Sequence, residues 1–319
     1  MGGVRIHPCF RARCGRRGIL GSPFGGLPRV VKITRAVITA AARDDRHLPL
    51  QQLVDRDRRT KAALAIIVEE AVAAGAHEVA IVVRPGDEDD FRQAAGDAAS
   101  RLELIPQTEP AGYGNAILQA RPFVDDEPFL HFVGDHLYVS DQAVPSDEGR
   151  REMTPCSRQL VAVAEAEDCC VSAVQATREH MLPYFGAVGG RLVAGHRGLY
   201  EIEKVLEKPT PTLAEEELIV PGLRAGHYLC FFGMHVLTQT VFELLESLGE
   251  RGQRQLSPAL AALATRERYL AAELAGRRYN LGLTYGLLSA QLALGLAGPD
   301  RSEILAQLGE LLAKQPAGE

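Results

Sequence analysis

No apolar run in this 319-residue chain approaches the roughly 20 residues needed to span a bilayer as a helix, so no membrane partner is expected. The six cysteines, Cys9, Cys14, Cys156, Cys169, Cys170 and Cys230, show no Cys-x-x-Cys spacing. That argues against a structural zinc site, and a chain this long does not need a disulfide framework. Free thiols and a cytoplasmic location are the expectation. No internal repeat is present. Residues 1–34 contain seven basic residues and no acidic one. They also lack apolar periodicity and the continuous apolar stretch of a secretory signal, and read as a disordered basic extension. The rest carries 28 basic against 41 acidic residues, a net of about −13, which argues against nucleic acid as a partner. With 46% hydrophobic and 24% charged residues, the composition is that of a soluble globular protein. A single domain over residues 35–319 is expected.

From Arg35 the chain alternates strand and helix. Ala36-Val37-Ile38 reads as a buried first strand, and Lys61–Ala74 as a helix closed by Gly75. Glu78–Arg84 is a strand, Asp87–Ala99 a helix, Leu102–Pro106 a strand, Gly112–Arg121 a helix and Phe129–Val133 a strand. Such repeats imply right-handed crossovers and a parallel sheet. A polar loop is predicted from Asp135 to Thr154. A helix over Cys156–Glu167, a strand over Cys170–Thr177, strands joined by Gly-rich turns in 184–210, and a strand in 226–237 follow. Beyond Leu237 the reading is mostly helical: Gln239–Leu248, Ser257–Thr265, Tyr285–Leu296 and Ser302–Lys314, the last with a capping box of Asp300 and Glu303.

Chemistry-bearing residues cluster where strands end, the edge at which open α/β sheets bind ligands. The loop after the first strand runs Ala42-Arg43-Asp44-Asp45-Arg46-His47-Leu48-Pro49. Gln107 follows the third strand, and its amide can both donate to and accept from a base edge. Gly112-Tyr113-Gly114-Asn115-Ala116 reads by itself as a turn glycine with a helix start. Val133-Gly134-Asp135 ends a strand with a hard oxygen ligand or with a cap. Tyr184-Phe185-Gly186-Ala187-Val188, Glu207-Lys208-Pro209, Gln255-Leu256-Ser257 and Tyr279-Asn280-Leu281-Gly282 complete the series. Glu207 and Lys208 would face opposite sides of a regular strand, unless Pro209 alters the geometry, and without a ligand they read as a solvated ion pair.

In this order, over about residues 35–290, these stretches resemble the bacterial UTP–glucose-1-phosphate uridylyltransferases, a family of sugar-phosphate nucleotidyltransferases. The resemblance implies an α/β fold with a Rossmann-like, mostly parallel central sheet and a helical C-terminal part. It implies transfer of UMP from UTP to glucose 1-phosphate, giving UDP-glucose and pyrophosphate. Arg46 would hold the triphosphate; Gln107 and Gly112 would bind uracil. Gly186, Glu207 and Lys208 would bind the sugar phosphate, with Lys208 and Arg46 as the catalytic cations. Asp135 and Asn280 would ligate Mg²⁺. UTP and glucose 1-phosphate are the implied small-molecule partners, and homo-oligomerisation is left open. The chain departs from the family at several points. The two glycines and the threonine of the triphosphate loop are replaced, with Asp44 and Asp45 among the substitutes. The first loop lysine falls at Gln52, with Arg56, Arg58 or Arg59 as candidates for the lost charge. A metal-binding aspartate is Asn280. Glycines in such a loop let backbone N–H groups approach phosphate, so these changes predict slow turnover. They keep open a catalytically weak or inactive homologue that binds a sugar phosphate or sugar nucleotide in a regulatory role, and a scaffold that binds neither.

Overall fold

Strand β1 (Arg35–Thr39) is buried on both faces. Ala36 and Ile38 pack in one core with Leu64, Ile67 and Val68 of the helix Ala63–Ala73. Val37 packs in a second core with Ala116 and Ile117 of the helix Tyr113–Gln119. A sheet covered on both faces needs apolar residues at every position, which is why this strand reads as a continuous apolar run. The computed structural model describes residues 31–42, 47–145, 151–250 and 255–314. Strands β2 (Glu78–Val83), β3 (Leu102–Pro106) and β4 (Phe129–Val133) complete a parallel block. In it Thr39 lies level with Val82 on one side and Val133 on the other.

Five further strands change the character of the sheet: β5 (Cys170–Arg178), β6 (Gly186–Leu192), β7 (Leu199–Glu207), β8 (His227–Leu237) and β9 (Tyr269–Glu273). The order is β5-β9-β7-β6-β8-β4-β1-β2-β3, and a β5–β8 pairing closes the first five strands into a ring. β8 runs antiparallel to β4, β5 and β6. The expectation of a mostly parallel sheet is therefore corrected: the nine-stranded sheet is mixed. The reason lies in the connections. The six residues between β6 and β7 can turn a hairpin but cannot make the long crossover that a parallel pair requires.

Other expectations also change. The predicted polar loop after Asp135 contains a strand, His136–Ser140, paired antiparallel with Gly276–Asn280. It also contains a short hairpin of Ala143–Pro145 with Arg151–Met153. The four C-terminal helices are present as Thr240–Glu250, Leu256–Arg266, Gly286–Ala297 and Arg301–Ala313, but β9 and Gly276–Asn280 stand between them. The capping box does not form. The Asp300 carboxylate accepts from Arg58 Nε at 2.8 Å instead of from its own helix. Lys61 lies in a short strand ahead of the first helix, held by Asp55, Asp57 and Glu69 at 2.9, 2.9 and 2.8 Å. Packing begins before Arg35: Val31 and Ile33 are each 4% exposed, and the Val31 N–H donates to Asp168 at 2.9 Å. The extension predicted over 1–34 therefore ends earlier, and residues 1–30 lie outside the described residues.

Two histidines are buried where β4 meets β8. His131 and His235 are register partners with stacked rings 5.9 Å apart. Nδ1 of His131 lies 3.0 Å from the Val37 carbonyl and Nε2 lies 2.7 Å from the Tyr113 hydroxyl. The carbonyl can only accept, so Nδ1 carries the proton and Nε2 accepts from the tyrosine. Burial pushes His131 down to about 4, and burial together with His131 pushes His235 well below its ordinary value. Unfolding frees both rings to bind protons below pH ~6.5, so the unfolded state gains protons first and stability falls as pH drops from there. For His131 the loss should be on the order of 3 kcal/mol by pH 4. Urea unfolding of the wild type and of His131→Gln at pH 7 and pH 4.5 tests this. The variant should lose clearly less stability between the two values, and equal losses would show that His131 is not a buried neutral base.

Candidate functional site

The carboxyl ends of β1, β3, β4 and β7 open onto a cleft of about 510 Å³. Ala40, Ala41 and Ala42 line it after β1, and Gln107 and Gly112 after β3. Asp135 and His136 line it after β4, Glu207 and Lys208 at the end of β7, and Asn280 at the end of the two-stranded ribbon that Gly276–Asn280 forms with His136–Ser140. Of the residues singled out in the sequence, Gln107, Gly112, Asp135, Glu207, Lys208 and Asn280 therefore meet in one space. Arg46, Asp44 and Asp45 lie outside the described residues, although Ala42 and Pro49 on either side line the cleft. The substitutes considered for the missing loop lysine are not there. Gln52 and Arg59 line a separate depression, Arg56 faces Glu70, and Arg58 is paired with Asp300.

Gln107 is 7% exposed. Its amide nitrogen donates to the Gly112 carbonyl at 3.3 Å and to Asn115 Oδ1 at 2.8 Å. Both N–H groups are thus spent holding the loop, and only the amide oxygen is left to accept from a ligand. The sequence suggested a two-way base reader; the structure shows a brace with one acceptor. Gly112 caps the following helix at φ 104°, a conformation that suits glycine.

Glu207 ends β7, and the next residue, Lys208, has φ 46°. This left-handed residue ends the alternation of the strand, so Glu207 and Lys208 both reach the cleft instead of pointing to opposite sides. Pro209 follows, and a residue before proline ordinarily takes extended backbone, so the proline does not account for the left-handed Lys208. Ser257 Oγ donates to Glu207 Oε2 at 2.5 Å and fixes the carboxylate. Gly186 is the register partner of Glu207. A Cβ there would stand 3.1 Å from both Glu207 Oε2 and Ser257 Oγ, so the glycine keeps room above the pair.

Asp135 has 26% of its side chain exposed, and its Oδ1 lies 2.7 Å from His136 Nδ1. Burial opposes its ionisation. The charge and hydrogen bond of His136, a backbone hydrogen bond and the charge of Lys208 outweigh burial and hold the carboxyl below its ordinary range. The ribbon brings Asn280 to the same corner: it pairs with His136, and the Leu281 N–H donates to the Asp135 carbonyl at 2.8 Å. Asn280 Oδ1 accepts from the Gly282 N–H at 2.8 Å, which leaves one lone pair. Among the described residues no group of three or more His, Cys, Asp or Glu is placed to hold a metal. One carboxylate and one amide oxygen fit a hard cation that keeps several waters and takes further oxygens from phosphate. Tyr113 also lines the cleft; burial and Asp135 push its hydroxyl up, so it stays protonated.

His136 and Ser257 were missed in the sequence. Ser257 stood in a stretch read only as leading into a helix. His136 stood directly beside Asp135, but in a segment read as loop.

No protein-family model matches the chain. It is 29% identical over 314 residues to UTP–glucose-1-phosphate uridylyltransferase YngB of Bacillus subtilis strain 168, spanning 89% of this chain and 97% of the relative. It is 27% identical over 316 residues to the UTP–glucose-1-phosphate uridylyltransferase of Streptococcus pneumoniae serotype 4, spanning 89% and 99%. The chain is similar to UTP–glucose-1-phosphate uridylyltransferases. A solved UDP-glucose pyrophosphorylase complexed with UDP-glucose superposes with a TM-score of 0.64 at 23% identity, over 82% of this chain and 98% of that one. A UTP-bound enzyme from Acinetobacter baumannii does so at 0.62 and 20% identity, over 89% and 100%. These likenesses establish the mixed α/β fold of the uridylyltransferase-type structures.

The Asp135–His136 contact makes a direct prediction. In a His136→Gln variant the Asp135 carboxyl should titrate at higher pH than in the wild type, read from its carboxyl-carbon NMR shift. An unchanged midpoint would assign the depression to Lys208 and the backbone alone.

Proposed function

We propose that the protein transfers UMP from UTP to glucose 1-phosphate, giving UDP-glucose and pyrophosphate. The observation that carries this reading is the convergence of Gln107, Gly112, Asp135, Glu207, Lys208 and Asn280, from well-separated segments, on one cleft. In the reaction a phosphate oxygen of glucose 1-phosphate attacks the α-phosphorus of UTP, the bond to the β-phosphate oxygen breaks, and pyrophosphate leaves with that electron pair. No covalent enzyme intermediate is required, so the work is alignment and charge neutralisation. Lys208 offsets the charge of the sugar phosphate. Glu207, fixed by Ser257, accepts from sugar hydroxyls. Gln107 accepts from the uracil N–H while the Gly112 backbone supports the ring, and Arg46 is assigned to the triphosphate by its place in the sequence. Asp135 and Asn280 would hold Mg²⁺, which when bound draws negative charge from the phosphate oxygens.

A second reading is favoured by one feature. Asn280 brings no charge to the metal corner, and its oxygen already accepts from Gly282. A protein with that corner weakened binds sugar nucleotide and turns it over slowly.

Pyrophosphate release from UTP and glucose 1-phosphate, followed across a Mg²⁺ titration, separates the two readings. The wild type should release pyrophosphate only when all three are present. Asn280→Asp should raise both the apparent Mg²⁺ affinity and the rate. No release from either protein, together with stabilisation by UDP-glucose, would establish the binder.

Lys208→Ala removes a charge-assisted contact of about 1.5–3 kcal/mol, so affinity for glucose 1-phosphate should fall by roughly 10- to 100-fold while the fold is retained. Calorimetry on the folded variant measures it, and unchanged affinity would take Lys208 out of the site.

A further inference from the structure

We propose that a basic recess next to the cleft is a second ligand site, one that binds a phosphate-bearing small molecule. The recess, about 380 Å³, lies at the end of β5 and has Arg178, His180, His227 and Arg278 in its wall, with no aspartate or glutamate among its lining residues.

Arg278 is the residue that points to a ligand. It is 8% exposed, and its guanidinium lies over the Phe185 ring at 3.8 Å. Its terminal nitrogens donate to the Cys230 carbonyl at 3.5 Å and to Thr177 Oγ1 at 3.1 Å. Its Nε has no hydrogen-bond partner. No carboxylate pairs with it among the described residues. A guanidinium is a cation at neutral pH. A buried cation facing only neutral acceptors is costly, and the usual remedy is a paired carboxylate. Here the wall supplies none and instead adds Arg178 and two imidazoles. An anion entering the recess would meet these donors together. A guanidinium fork matches the oxygens of phosphate, and two arginines balance a phosphate dianion, where a single carboxylate would leave charge over.

The recess is separate from the sugar-phosphate subsite at Lys208, but the two spaces share a wall. Asn280 lines both, and Phe185, under the Arg278 guanidinium, immediately precedes Gly186. The assignment rests on this geometry and not on the proposed transfer reaction.

Calorimetric titration of the full chain with inorganic phosphate in chloride buffer tests it, using the wild type, Lys208→Ala, and a double variant Arg178→Glu, His180→Ala at exposed positions that should leave folding intact. Lys208→Ala should keep one phosphate site per chain, and the double variant should lose at least about tenfold in affinity for it. Binding that disappears in Lys208→Ala, binding unaltered in the double variant, or no binding by the wild type would each overturn the proposal. A parallel titration with glycerol phosphate identifies the source. Tighter binding of the monoester assigns a phosphorylated metabolite, and equal affinity assigns free phosphate. Failure of pyrophosphate release would leave these titrations unaffected, so the two proposals fail independently.

Discussion

The cleft depends on how closely the ends of β1 and β4 approach. The Gly134 N–H donates to the Thr39 carbonyl at 2.9 Å, and a Cβ on Gly134 would stand 2.8 Å from that same oxygen. Any larger residue would have to push the strand ends apart. With glycine the parallel register runs one step beyond the sheet, so Asp135 emerges directly beside Ala40–Ala42. The first strand therefore delivers two things at once: a backbone rim for one ligand group and a fixed height for the carboxylate. Other cleft residues are hung from the same edge. Gln107 follows β3 and is tied back by its own N–H to the Val83 carbonyl.

Electrostatically the cleft is built around one carboxylate that stays charged against burial. Asp135 is kept ionised by neighbours of opposite sign, His136 and Lys208, whose charges act on it. The beds of the nearby aromatic groups are neutral: Tyr113 is held protonated and His131 beneath it unprotonated. Beneath Asp135, Tyr113 and His131 are thus paired with each other as a neutral donor and a neutral acceptor. That arrangement suits phosphate chemistry, where fixed charges must face the substrate and not one another.

Much of the site was legible because its residues sit where strands stop, and strand ends in the parallel block follow from the apolar runs Arg35–Thr39, Glu78–Val83 and Phe129–Val133. The placement of Glu207 with Lys208 was not, because adjacent residues share a face only when the strand is broken, and nothing in Glu207-Lys208-Pro209 fixes a left-handed lysine. The ribbon was missed for a different reason. His136–Ser140 is a five-residue strand whose partner among the described residues, Gly276–Asn280, lies far along the chain, so no local pattern announces it. The ring closed by β5 and β8 likewise depends on long-range pairing. Asp300 shows the opposite error. Its local pattern was correct for a cap, but Arg58, distant in sequence, competes successfully for the carboxylate.

The ribbon has a consequence for how the protein comes into being. Asn280 follows Asp135 by 145 residues. At about 5–20 residues per second, a ribosome takes roughly 7–30 s to go from one to the other. Throughout that interval β4 and the parallel block can already be paired, while His136–Ser140 has no strand to pair with. The nascent chain therefore carries an open edge and half a cleft until Gly276–Asn280 emerges. Ligand cannot meet both sides of the site before Gly276–Asn280 has been made.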